Sequence, residues 1–100
     1  MNQKLFMLSL TLSVALLNCG MSGKEMETAK KHFSDAATKQ CECTKIKTSA
    51  DFNQEAFAQC TREYEDIVRY MNAFFDVVKP SDAEKKEAAS VAESIQQNCK

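Results

Sequence analysis

The chain has 100 residues, and its 13 basic and 14 acidic side chains give a formal net charge of -1 at pH 7. This near-neutral mixture of charges argues against nucleic-acid binding and against electrostatic attraction to anionic lipid. With one proline, two glycines and no tryptophan, and with abundant Ala, Glu, Lys and Gln, the composition is typical of a helical protein.

The N-terminal segment has the pattern of an export signal. Lys4 precedes the run from Leu5 to Leu17, which carries no charge and consists mostly of Leu, Met, Val and Ala. An apolar run of about 7–15 residues behind a basic residue is typical of a signal peptide. The run is too short to span a bilayer, which needs about 20 apolar residues. We therefore predict a cleaved signal peptide at residues 1–18.

The residues at its end resemble the lipobox of bacterial lipoproteins. Leu16 and Cys19 match that motif, and Asn18 stands where most lipoboxes have a small residue, as in the relaxed boxes of spirochaete lipoproteins. The resemblance implies that Cys19 becomes the first mature residue and carries a thioether-linked diacylglycerol and a third, amide-linked acyl chain. Two or more chains anchor a protein stably to a membrane. An ordinary signal peptide, which would leave Cys19 as a structural thiol, is the alternative.

Three helices are predicted, at about residues 23–41, 51–79 and 82–98. Two of them begin with a capping box, in which a Ser caps the helix and a Glu three residues later reaches back to the cap. Ser22 and Ser81 are these caps. Asp51 begins a weaker version of the same device at the second helix.

The second predicted helix has the strongest apolar stripe, which continues over its whole length. Its width is typical of a helix packed against two neighbours, so we expect this helix to be the central one. The outer helices are Ala-rich and bury little area, so the core should be thin. Short linkers favour an antiparallel up-down-up three-helix bundle. The stripe consists of Phe57, Cys60, Tyr64, Ile67, Val68, Met71, Phe74, Phe75 and Val78.

Four cysteines remain besides Cys19, and the predicted bundle brings all four to one end. They are Cys41, Cys43, Cys60 and Cys99. An even number of cysteines in a small exported domain predicts disulfides. A bridge across one residue is strained, which leaves two pairings: Cys41–Cys60 with Cys43–Cys99, or Cys41–Cys99 with Cys43–Cys60. Both tie the first loop to the second helix and to the C-terminal end.

Other interpretations of these residues are weaker. A four-cysteine zinc site usually has ligand pairs two to four residues apart, and a catalytic dithiol usually reads C-x-x-C at a helix N-terminus. The single histidine, His32, is interpreted as solvated. The acidic cluster Glu63, Glu65 and Asp66 is interpreted as part of surface ion pairs. Met71, Phe74 and Phe75 are interpreted as plain core. We therefore predict no catalytic, cofactor-binding or metal-binding residue.

Taken whole, the chain resembles small leptospiral lipoproteins that carry four cysteines in a helical domain. We expect a signal peptide at 1–18, a lipidated tether at 19–23 and a disulfide-linked domain at 24–100. The expected location is the bacterial envelope, at the outer membrane, with the lipid on Cys19 as the membrane contact. The expected role is non-enzymatic binding of an unknown protein partner, or scaffolding. The alternatives are a metal- or thiol-handling protein that uses Cys41, Cys43, Cys60 and Cys99, and an inhibitor or immunity-type lipoprotein.

Overall fold

The computed structural model describes residues 21–99, and within them the chain is all-helical, without a strand. It contains helices α1 (Gly23–Thr48), α2 (Gln54–Val78) and α3 (Asp82–Gln97). The predicted all-α class with three helices is thus confirmed. No helix in this part of the chain combines the length and the apolar character that crossing a membrane requires.

Both predicted capping boxes are present. At α1 the backbone N–H of Glu25 donates to the Ser22 hydroxyl at 3.2 Å, and the Ser22 N–H donates to the Glu25 carboxylate at 2.8 Å. Ser81 and Glu84 repeat these two hydrogen bonds at α3. The second helix begins later than predicted, because Asn53 and not Asp51 is its cap.

The first helix is longer than the predicted 23–41 and ends at Thr48. No glycine or proline interrupts residues 41–48, and the hydroxyls of Thr44 and Thr48 each donate to the carbonyl four residues back at 2.9 Å. Two lysines in the last turn also suit the negative end of the helix dipole. Cys41 and Cys43 consequently lie inside α1, not in the first loop.

The central helix is α1, which corrects the prediction for the second helix. α1 packs against both α2 and α3, whereas no pair of Cα atoms from α2 and α3 comes within 8 Å. Small side chains on α1 permit this, since Ala29, Ala36 and Ala37 are 0%, 8% and 3% exposed. The apolar stripe on α2 is wide because part of it faces an open groove, and not because α2 packs against two helices.

The contacts between α1 and α2 follow a regular order. From one end of the pair to the other, residue numbers rise along α2 while they fall along α1. The contacts are Lys47 over the Phe57 ring at 5.9 Å, the Cys43–Cys60 disulfide, Lys39 with Glu63 at 3.4 Å, and Phe33 against Phe75 at 5.7 Å between ring centroids.

Between α1 and α3 the residue numbers rise together. The contacts are the Met21 N–H with the Glu84 carboxylate at 3.1 Å, Lys30 with Glu87 at 3.8 Å, Gln96 with Gln40 at 3.4 Å, and the Cys41–Cys99 disulfide.

The core is thin and made largely of small side chains. Its main cluster contains Met21, Ala29 and Ala88, surrounded by partly buried larger side chains such as Phe33 and Phe75. No large side chain among residues 21–99 is fully buried. Because Met21 is 8% exposed and the next residue caps α1, residues 21–23 of the expected tether are part of the described fold.

The tightest contact between α1 and α3 can be tested by enlarging one side chain. Ala88 is 0% exposed, so Ala88→Leu should lower the free energy of unfolding by about 1–3 kcal/mol through overpacking. Ala83→Leu, at an exposed position of the same helix, is the control and should change it by less than about 0.5 kcal/mol. Thermal unfolding followed by circular dichroism measures both. Equal effects would mean that Ala88 is not a close-packing position.

Candidate functional site: the disulfide end and the interhelical groove

The structure joins Cys41 to Cys99 and Cys43 to Cys60, which decides between the two pairings left open by the sequence. The Cα atoms are 5.7 Å apart in the first bridge and 5.6 Å apart in the second. Residues two apart on an α-helix point in directions about 200° apart. Cys41 can therefore face α3 while Cys43 faces α2, and one turn of α1 holds both neighbours.

The two disulfides differ in exposure. Cys43 and Cys60 are buried, at 8% and 5% exposure. Cys41 and Cys99 are only half-buried, and both border a solvent-open cavity of about 280 Å³ together with Gln40 of α1. The Cys43–Cys60 bridge is therefore enclosed by two helices, whereas the Cys41–Cys99 bridge is accessible from solvent.

Lys39 forms a small ionic network beside the buried disulfide. Its ammonium group lies 3.0 Å from the Glu42 carboxylate and 3.4 Å from that of Glu63 on α2. The hydrogen bond to Glu42 is the main reason that the pKa of Lys39 is raised above its ordinary value. Partial desolvation opposes this shift, and the negative charges of Glu42 and Glu63 add to it. The network links α1 to α2 electrostatically.

Two of the three carboxylates in the acidic cluster of α2, Glu63 and Asp66, form surface ion pairs as predicted, and Glu65 forms none with the residues that the structure describes. Asp66 pairs with Arg69 one turn along the helix, and Glu63 pairs with Lys39 of α1. Glu65 is exposed.

His32 was predicted to be solvated, but it is half-buried against α2. Its ring centroid lies 5.3 Å from that of Phe74, and the two rings are tilted by 48°. The sequence places His32 beside Lys30 and Lys31, which suggested a polar face. The neighbouring residue Phe33 packs on Phe75, and this contact brings His32 to the same helix.

A groove, here called the interhelical groove, runs between α2 and α3 with α1 as its floor. Its volume is about 360 Å³. Its large apolar side chains are half-buried. Met71 lines the groove, whereas Phe74 and Phe75 pack against the core cluster. The lining residues are Phe33, Ala36, Ala37 and Gln40 of α1, Tyr64, Val68 and Met71 of α2, and Ala89, Ala92, Glu93 and Gln96 of α3.

The polar side chains that line the groove are Gln40, Tyr64, Glu93 and Gln96, and of these only Glu93 is charged. Glu93 lies in the α3 wall. Glu65 of α2 is exposed and is not a lining residue, but it follows the groove residue Tyr64, so helical spacing puts it near the edge of the α2 wall. Neither carboxylate has an ion pair within residues 21–99. The groove is therefore mainly apolar, with one carboxylate in its α3 wall and a second near the edge of its α2 wall.

The remaining predicted site residue, Cys19, lies outside the described residues. Within residues 21–99, no three side chains of His, Cys, Asp or Glu come together in a way that would hold a metal ion. No protein-family model, curated protein or solved structure matches this chain. Arguments about its function consequently rest on its own residues.

The disulfide pairing and its energetic weight can be tested together. Proteolysis after Glu42 without reductant should yield separate linked peptides for Cys41–Cys99 and Cys43–Cys60.

The bridges close loops of 58 and 17 residues. The loop-entropy model gives upper estimates of about 4 and about 3 kcal/mol for them. The double variants Cys41→Ala/Cys99→Ala and Cys43→Ala/Cys60→Ala should therefore each melt at a lower temperature than the parent. Variants that melt within a few degrees of the parent would show that the bridges do not stabilise the fold.

Proposed function

We propose that this chain is a lipid-anchored, non-enzymatic binding protein of the bacterial envelope. In this proposal the segment 1–18 is removed on export, Cys19 carries the lipid, and the mature chain folds as an antiparallel up-down-up bundle at the outer membrane. The apolar leader and the lipobox-like residues support the anchor. The opposite contact orders of α1 with α2 and of α1 with α3 support the topology.

The anchor would orient the domain on the membrane. Met21 packs at the start of α1, only two residues beyond Cys19, so the folded part would begin close to the lipid surface. α1 has 26 residues. At about 1.5 Å per residue it extends about 39 Å. Both disulfides lie in the second half of this helix, so that end would face away from the membrane, with the interhelical groove in between.

The observation that carries the binding role is the open groove between α2 and α3. Both helices pack on α1, and no Cα atoms of α2 and α3 come within 8 Å of each other, although Lys85 of α3 reaches the Phe75 ring of α2 near their connecting loop. Along the rest of the two helices the position of a fourth helix in a bundle is vacant. An amphipathic helix buries its apolar face in such a groove through residues at positions i, i+3 or i+4, and i+7. The α3 wall from Ala89 to Gln96 spans seven positions, which is about 10 Å. This matches one such set of anchors.

The two carboxylates specify the occupant further. Glu93 and Glu65 would lie on either side of a bound helix, and basic side chains flanking its apolar stripe would neutralise both. We therefore assign the groove to a partner protein that offers a basic amphipathic helix. Steering by complementary charge would also favour such a partner over an acidic one.

The anchor is tested by replacing the lipidation residue in the precursor expressed in a bacterium. Cys19→Ser should leave an unprocessed or soluble species that partitions into the aqueous phase of a detergent extraction. The parent protein should partition into the detergent phase and incorporate labelled palmitate, because several acyl chains anchor it stably. If the variant still partitions into detergent, Cys19 does not carry the anchor.

The groove is tested with a fluorescent helical peptide of about three turns that has leucines at i, i+4 and i+7 and lysines on both flanks. We expect binding by anisotropy that weakens with added salt. Val68→Asp should reduce the affinity at least tenfold, because it places a charge in the α2 wall. Val77→Asp is the matched control, since Val77 is 81% exposed and is not a groove residue, and it should bind as the parent does.

The same experiment distinguishes other occupants. An acidic peptide of equal hydrophobicity should bind more weakly than the basic one, and equal binding would contradict the assignment to a basic helix. Displacement of the peptide by a fatty acid at lower concentration would assign the groove to lipid instead. A dimer in sedimentation analysis that Val68→Asp dissociates would assign it to a second copy of the chain.

A further inference from the structure

We propose that the Cys41–Cys99 disulfide is a thiol-exchange site, which a protein dithiol in the envelope reduces while the Cys43–Cys60 disulfide stays closed. Opening it would release the distal half of α3 from α1 and so change the groove wall that α3 forms. The expected change in the groove wall rests on the proposed function, because it concerns the same groove. The exchange itself does not depend on what the groove binds.

The first observation is the difference in access between the two bridges. Cys41 and Cys99 both border the same open cavity of about 280 Å³, which offers a thiolate a route from solvent to this bridge. Cys43 borders a neighbouring cavity of about 220 Å³, but it is 8% exposed and its partner Cys60 is 5% exposed. The Sγ atom of Cys60 also lies 3.9 Å from the Lys39 carbonyl oxygen, on the α1 side.

The second observation is where the bridged residues lie in their helices. Cys43 and Cys60 are both inside long helices, five residues or more from the nearest end. Cys99 lies beyond the end of α3 at Gln97, where its backbone N–H donates to the Gln96 carbonyl at 3.2 Å. Residues past a helix end move more freely than residues within it. The geometry required for attack along the S–S axis is therefore easier to reach at Cys99.

The chemistry is thiol–disulfide exchange and balances as a two-electron transfer. One thiolate of the protein dithiol attacks a sulfur of Cys41–Cys99. The S–S bond breaks, and the sulfur that leaves takes the electron pair and a proton from water. The second thiol of the dithiol then loses its proton and attacks the mixed disulfide as a thiolate, and the sulfur released from this chain takes the electron pair and a proton. The products are two thiols, at Cys41 and Cys99, and the oxidised disulfide of the partner.

The structural consequence follows from what holds α3. In the last two turns of α3, the side-chain bonds to α1 are the Gln96–Gln40 hydrogen bond at 3.4 Å and the disulfide from Cys99. The firmest α3 contact is Ala88, 0% exposed, nearer the other end of the helix. Loss of the disulfide would therefore leave Glu93 and Gln96 on a segment held by one exposed hydrogen bond and by half-buried apolar side chains such as Val91 and Ile95.

The exchange is tested on the mature lipoprotein in detergent micelles with dithiothreitol as the dithiol. Samples are quenched with N-ethylmaleimide at increasing times, digested, and examined by mass spectrometry. We expect Cys41 and Cys99 to be alkylated at least tenfold faster than Cys43 and Cys60, with a two-thiol intermediate that accumulates. Simultaneous opening of both bridges, or earlier opening of Cys43–Cys60, overturns the proposal.

The release of α3 has a separate readout. Hydrogen exchange of backbone amides at residues 89–97 should be at least tenfold faster in Cys41→Ser/Cys99→Ser than in the oxidised parent, with exchange around Ala29 little changed. Unchanged exchange at 89–97 overturns the release. The two-thiol intermediate of the parent gives the same comparison if the variant folds poorly. Neither readout uses a groove ligand, so failure of the peptide to bind would count against the proposed function alone.

Discussion

The arrangement of the whole domain depends on α1 being held on two opposite sides at once. Cys41 and Cys43 are two positions apart on one helix, so their side chains diverge by about 200° and each reaches a different neighbour. Nearer the other end of α1, Ala29 and Ala36 leave room for both helices to approach closely. With α1 between them, no Cα atoms of α2 and α3 come within 8 Å of each other, and the space that separates them becomes the interhelical groove.

This arrangement explains why a protein with so small a core has two covalent links. A single domain of this size buries only about 60% of the surface that its unfolded chain exposes. Here the fully enclosed positions are alanines, and the aromatic side chains of α2 remain partly in contact with solvent. Closing loops in the unfolded chain contributes stability that does not require buried area. Surface ion pairs such as Lys31–Asp35 add little to the stability of the fold, because solvent screens their charges.

Under the proposed anchoring, the domain has two ends with different tasks. The start of α1 carries Met21, the capping box and the main apolar cluster, all close to the lipid-bearing residue. The opposite end carries both disulfides and the ionic network of Lys39. A partner that approaches from the side away from the membrane would first meet the more accessible bridge and then the groove. Binding and thiol exchange would then act on the same wall, α3.

Local signals in the sequence determined the three helices and the starts of two of them. Ser22 with Glu25 and Ser81 with Glu84 form hydrogen bonds within four residues of one another, so their effect needs no tertiary contact. The predicted end of α1, at about residue 41, is too early. No residue between Cys41 and Thr48 marks a stop, so the helix continues to Thr48. The convergence of four cysteines at one end also followed from chain order alone.

Only the tertiary structure decided which helix is central, which cysteines pair and where the groove lies. Hydrophobic periodicity shows that a helix has an apolar face, but it does not show what that face contacts. The wide stripe on α2 therefore indicated two neighbours, although Val68 and Met71 in fact line an open groove. Which cysteine bonds to Cys41 and which bonds to Cys43 depends in the same way on the side of α1 that each neighbouring helix occupies. That choice is made by packing between residues far apart in the chain, such as Ala29 with Ala88, and no local pattern contains it.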